Sequence, residues 1–117
     1  MGKHNETGAR GEHLAEVYLR DNGYEILYRN WRHGHKEIDL IALDAGLLVF
    51  VEIKTRGSFR FGFPEEAVDL RKQSNMRIAA EAFLERFPTY RTVRFDVLTI
   101  VFRGEVVEEL RHLVDAF

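Results

Sequence analysis

Cysteine is absent from these 117 residues, which excludes disulfides and thiolate zinc sites and makes a cytoplasmic location the expectation. Long hydrophobic runs are also absent. The longest, Leu47 to Val51, is strand-sized and far short of the ~18–20 residues a membrane span needs. Met1 to Glu6 carries no apolar signal region, so secretion is not expected. Proline occurs twice, at Pro64 and Pro88, both at expected element boundaries. Excess charge of either sign is missing as well. A net charge of −2 argues against a protein that lives by non-specific attraction to phosphates, although a local basic groove remains open.

What is present fits one soluble globular domain over residues 1–117, large enough to bury a core without staples. The apolar stripe of Leu14, Ala15, Val17, Tyr18 and Leu19 predicts a helix over about Thr7–Asp21, stopped by Asn22-Gly23. Gly8 and Gly11 in its first turns each cost up to about 1 kcal/mol, which points either to a close backbone approach or to a frayed start. A strand follows over about Glu25–Arg32, then a turn at His33-Gly34-His35 whose two imidazoles are expected to be exposed. Strands over Glu37–Leu43 and Leu47–Thr55, parted by Asp44-Ala45-Gly46, form a hairpin.

Gly57 to Pro64 reads as a loop, with Phe59, Arg60, Phe61 and Phe63 interleaved. These side chains suit either base stacking or a cover over the core. Asp69 is the expected N-cap of a helix over about Leu70–Phe87 that buries Met76, Ala79, Ala80, Phe83, Leu84 and Phe87. A strand over Val93–Phe102 is next, with Asp96 expected to pair with Arg94 or another base. Arg103-Gly104 makes a turn, Glu105–Leu110 a short final strand, and Val114–Phe117 a tail docking on the core. The order predicts an α/β fold (α+β by another convention), a mixed sheet flanked by helices, with the strand after the crossover helix parallel to one before it.

The hairpin carries the chemistry. With its turn centred between Ala45 and Gly46, opposed residues sum to 91, which sets Asp39 opposite Glu52, Glu37 opposite Lys54 and Ile41 opposite Phe50. Glu37, Asp39, Glu52 and Lys54 then share one face, and Ile38, Leu40, Ala42, Val49, Val51 and Ile53 the other. Two opposed carboxylates in an apolar strand pair repel and are partly desolvated. Lys54 offsets part of that cost. A hard cation such as Mg²⁺ offsets more, held by Asp39, Glu52 and the backbone carbonyl of Ile53. The alternative is a structural ion network at the hairpin's end.

Glu37-Ile38-Asp39-Leu40-Ile41 with Phe50-Val51-Glu52-Ile53-Lys54-Thr55-Arg56 resembles the PD-(D/E)XK nuclease signature. With Gly11-Glu12, Ala15, Tyr18-Leu19, Gly23-Tyr24, Asn30-Trp31-Arg32, Phe61-Gly62, Ala67-Val68, Lys72, Arg94-Phe95-Asp96 and Ala116-Phe117, the chain is similar to the YraN-like family of small bacterial predicted endonucleases. One departure is Lys36, where that family has Gly. The resemblance implies a restriction-endonuclease-like αβββαβ core, metal at Asp39 and Glu52, and Lys54 as the catalytic lysine. It implies Mg²⁺- or Mn²⁺-dependent phosphodiester hydrolysis, on DNA before RNA, including branched or damaged structures.

On that reading a metal at Asp39 and Glu52 polarises a phosphoryl oxygen, and Lys54 orients water or stabilises charge. Glu12 is either a further ligand or an acid favoured by the helix dipole. Glu37 either joins the catalytic set or pairs with Lys54. Lys72, Arg56 and Arg60 are nucleic-acid contact candidates. The competing class is a nucleic-acid-binding or partner-binding subunit that keeps the fold without cutting. A homodimer is expected should the substrate be a four-way junction, because such junctions are two-fold symmetric.

Overall fold

A computed structural model describes residues 3–57 and 69–117, with side chains from Gly8 onward. The elements run α1 (Lys3–Asp21), β1 (Tyr24–His33), β2 (Lys36–Asp44), β3 (Leu47–Arg56), α2 (Leu70–Arg86), β4 (Val93–Arg103) and β5 (Val106–Leu113). They build one five-stranded mixed sheet in the order β1-β2-β3-β4-β5. The β3–β4 pair is parallel across the α2 crossover, and the other pairs are antiparallel. This is the expected α/β architecture. Two bounds differ by more than one residue: α1 starts at Lys3 and the last strand continues to Leu113, because its residues pair with β4 as far as Val97↔Leu113.

Each face of the sheet carries one helix. Ala15 and Leu19 of α1 pack with Leu40, Ala42, Val49, Val51, Ile53, Leu98, Ile100 and Phe102. Met76, Ala79, Ala80 and Phe83 of α2 pack with Ile38, Ile41, Leu48, Phe50 and Phe95. Phe83 is the hub of the second core, meeting Tyr28, Trp31 and Phe50 edge-on. Alternation along a strand produces this division, since neighbours point to opposite faces.

Helix ends follow from local chemistry. Asp69, extended at ψ 178°, accepts the Lys72 backbone N–H at 2.9 Å and caps α2 as expected. The two glycines of α1 divide. A Cβ on Gly8 would meet nothing within 4 Å, whereas one on Gly11 would stand 2.0 Å from Thr55 Cγ2. Gly11 therefore lets α1 approach β3 beside Lys54. The C-terminal tail docks as predicted: the Ala116 N–H donates to the Phe95 carbonyl at 2.7 Å, and the Phe117 ring stacks on Phe95.

Candidate metal centre

The hairpin register matches the expected sum of 91 from Asp44↔Leu47 to Leu40↔Val51. There the β2–β3 ladder ends, so Asp39 is not ladder-paired with Glu52 as the arithmetic had it. The Asp39 carboxylate instead accepts the backbone N–H of Ile53 at 2.7 Å, replacing the carbonyl a continuous ladder would supply. The alternation also breaks at this point. Ile38 lies in the α2-side core and Leu40 in the α1-side core, although they are two residues apart. The expected common face for Ile38 and Leu40 is thus corrected. On β1, Asn30 lies level with Asp39, between the pairs Arg29↔Leu40 and Trp31↔Ile38, and is left-handed at φ 50°. Asn tolerates that region better than most residues, so the irregularity spans both strands.

Glu52 stands on the α2 side of β3 and is 3% exposed. Its Oε1 lies 3.5 Å from Lys54 Nζ and 3.4 Å from Lys72 Nζ. Its Oε2 is buried and has no hydrogen-bond partner among the described residues. Such an orphan is costly in a folded protein. Burial pushes the Glu52 carboxyl up to about 7, and the Asp39 charge adds to the rise against the pull of Lys72 and Lys54. Burial raises Asp39 as well, opposed by the Ile53 amide and the charge of Lys72. The pair disfavours its own double ionisation.

Other expected site residues fall as follows. Glu12 is half-buried on α1, and its carboxyl is raised by burial, then by the charges of Asp39 and Glu37. It lines, with Ala9, His13, Glu16, Arg29, Asn30 and Asp39, a cleft of about 200 Å³. Glu37 pairs with Arg32 at 3.2 Å, and Lys54 pairs with Glu52, so the predicted Glu37–Lys54 partnership is replaced by two others. Arg56 ends β3 two residues past Lys54. Arg60, with Phe59, Phe61 and Phe63, lies outside the described residues. His33 and His35 are exposed, as expected of a turn.

Among the described residues, no group of three or more His, Asp and Glu is gathered into a metal-ligand set. The residues that could hold a cation are the Asp39–Glu52 pair, with the Ile53 backbone brought beside it by the Asp39 hydrogen bond. That set suits Mg²⁺, which keeps several waters and takes one or two carboxylates. The orphaned Oε2 is the observation that makes a cation fit.

Sequence reasoning missed most of a second buried acid centre. Asp96 is fully buried and pairs with Arg94 at 2.8 and 2.9 Å, as expected. It also accepts from His112 Nε2 at 2.7 Å and from the Asp115 N–H at 3.1 Å. Arg94 reaches on to Tyr24 and Asp44, and the Tyr18 hydroxyl meets His112 Nδ1 at 3.2 Å. The one available signal was a carboxylate inside a strand that, Thr99 apart, is otherwise apolar from Phe95 to Phe102.

A family model described as "Uncharacterised protein family UPF0102" matches residues 11–100. A UPF0102 protein of Bacteroides thetaiotaomicron is 46% identical over 118 residues, covering 100% of this chain and 96% of the relative. One from Phocaeicola vulgatus is 42% identical with the same coverage. A third, from Rhodococcus opacus, is 44% identical over 111 residues, covering 94% of each chain.

Proposed function

The chain belongs to the family UPF0102, and from its site we propose that it is a divalent-metal-dependent endonuclease of the PD-(D/E)XK type. It hydrolyses phosphodiester bonds in nucleic acid, DNA before RNA, with branched or damaged structures as candidate substrates. The supporting observation is Glu52 Oε2, a buried carboxylate oxygen without a partner among the described residues, beside a second, half-buried carboxylate, Asp39.

A Mg²⁺ or Mn²⁺ ion held by Asp39, Glu52 and the Ile53 carbonyl would polarise a phosphoryl oxygen and lower the pKa of water. Asp39 has a second task, since its hydrogen bond to the Ile53 N–H fixes the strand segment that carries both Glu52 and Lys54. Lys54, partly exposed beside Glu52, is placed to orient or deprotonate the attacking water, or to stabilise charge on the transition state. Lys72 sits in the first turn of α2, where the backbone N–H groups also favour anions. It is the described cation best placed for the substrate phosphate. Glu12 faces the same acids from α1 and stands as a lesser contributor. Among the described residues no helix is long and apolar enough to cross a membrane, and a cytoplasmic location completes the proposal.

A second reading has its own observation. Lys54 and Lys72 both lie on Glu52 Oε1, so two lysines already offset part of its charge. A non-cutting nucleic-acid-binding subunit would need no more. The two readings separate when the purified chain meets single-stranded, duplex, flap and four-way-junction DNA with Mg²⁺ or Mn²⁺. The nuclease cuts at least one of them and loses roughly 100-fold or more in Asp39→Ala and Lys54→Met. Binding without cleavage, indifferent to chelator, establishes the second reading and removes the first.

A further inference from the structure

We propose that the outer edge of β5 is a self-association surface: two copies of the chain pair β5 with β5, antiparallel, about a two-fold axis at Leu110. The inference is independent of the chemistry proposed above.

The two edges of the sheet differ in how they are protected. Edge strands are commonly blunted by bulges, kinks and charges. β1 is interrupted twice, by a register shift between Ile26 and Tyr28 and by left-handed Asn30, and it carries Arg29 and Arg32. In β5 the irregularity lies near the start, where Glu108 is the extra residue between Val101↔Glu109 and Phe102↔Val107. From Glu109 to Leu113 the strand pairs with β4 without a break. Apolar side chains stand exposed at both ends of it: Val106 at 67%, Val107 at 37% and Val114 at 53%.

The register follows from backbone geometry and charge. Directly opposed residues in an antiparallel pair turn their amide groups both towards or both away from each other. A strand meeting its own copy is therefore limited to registers in which opposed residue numbers have an even sum. A sum of 218 sets Glu109 against Glu109 of the second copy, and 222 sets Arg111 against Arg111. Both oppose like charges, which is destabilising. The register between them, 220, sets Leu110 on the axis and Glu109 opposite Arg111 on both sides. Within one chain Arg111 Nε already lies 2.8 Å from Glu109 Oε1. This register joins two such pairs into a closed ring of alternating charge. Beyond it, Val106 and Val107 of one copy approach Leu113 and Val114 of the other.

An isologous contact of this kind closes on itself and forms no filament. The axis stands perpendicular to the sheet, so the ten-stranded dimer carries both α2 helices on one face. Both Glu52 side chains and both Lys72 side chains then look to the same side.

Sedimentation of the full chain at about 100 μM tests the proposal. The expected species has twice the 13.7 kDa chain mass. Glu109→Arg and Arg111→Glu each lower association about tenfold or more, with circular dichroism confirming the fold. Mixing the two variants restores a dimer, because each chain then offers the complement of the other. Should either variant fail to fold, Leu110→Cys gives a second test in a chain that has no cysteine. Mild oxidation then yields a covalent dimer, since the thiols face each other across the axis. A monomeric wild type, a dimer indifferent to both reversals, or a mixture that stays monomeric overturns the proposal.

Discussion

Asp96 and Glu52 are both carboxylates buried in the central strands of one sheet, and their surroundings drive them in opposite directions. Burial pushes Asp96 up, but hydrogen bonds from His112, Arg94 and the Asp115 N–H outweigh it and hold the group down at about 2. Burial pushes Glu52 up to about 7, and its nearest carboxylate adds to the rise. Asp96 has donors on both oxygens, while Glu52 has two lysines on one oxygen and nothing described on the other. A buried charge that is fully paired ties elements together; one that is half-paired is costly unless a ligand completes it. The first centre joins β4, β5, β1 and the tail, and the second is where a cation fits.

The sharpest way to break this contrast is to remove Asp96. Asp96→Ala strands Arg94 and His112 in the interior, and the expected loss is about 3–5 kcal/mol in urea unfolding. A loss below about 1 kcal/mol, the worth of a surface pair, would make the two centres alike.

Glu52→Gln should act with the opposite sign. Without metal, the variant is expected to be more stable than wild type at neutral pH, on the order of 2–3 kcal/mol, because it keeps the neutral form that burial favours. The pH dependence separates the centres further. Between about 4.5 and about 7 the folded wild type holds a proton at Glu52 that the unfolded chain has lost, so stability falls as pH rises through that window. The Asp96 contribution behaves in reverse. It is complete above the ordinary Asp range and is lost as pH falls through about 2. Thermal unfolding of wild type and Glu52→Gln in chelator, from acid to neutral pH, checks both signs. Mg²⁺ should raise the wild-type midpoint at neutral pH and leave Glu52→Gln unmoved.

Smaller effects test the supports of the second centre. Gly11→Ala drives a methyl group into Thr55, for an expected loss of about 1–3 kcal/mol and a displaced Glu12. Asp69→Ala removes the α2 cap that holds Lys72 in the first turn and should cost about 1 kcal/mol in denaturant unfolding. Equal loss of Mg²⁺ affinity in both variants would show that neither support is specific to the site.

Much of the molecule was legible from residue order. The crossover helix required a parallel strand pair, and β3–β4 is that pair. Asp44-Ala45-Gly46 set the hairpin register, which holds through Leu40↔Val51. Asp69 announced its own helix, and Asp39, Glu52 and Lys54 announced the hairpin's charged end. Where reading failed, a side chain had replaced a backbone partner. Strand parity assumes an unbroken ladder, and the Asp39 carboxylate ends it by taking the Ile53 amide. Of the Asp96 centre only the Arg94 pair was legible, for a related reason: its other partners, His112, Asp115 and Tyr24, stand 16 to 72 residues away, beyond any local pattern.

The sequence by itself determined the element order, the hairpin and the pair of acids with their lysine, because those depend on periodicity, turn chemistry and spacing along one strand pair. Only the tertiary structure decided which acid is satisfied and which is left wanting. That difference is set by what other elements add to the same-strand partners Arg94 and Lys54: His112 and the tail amide to Asp96, and to Glu52 Lys72, on the oxygen that Lys54 already holds. Burial charges both carboxylates alike, and the count of donors around each gives the opposite signs.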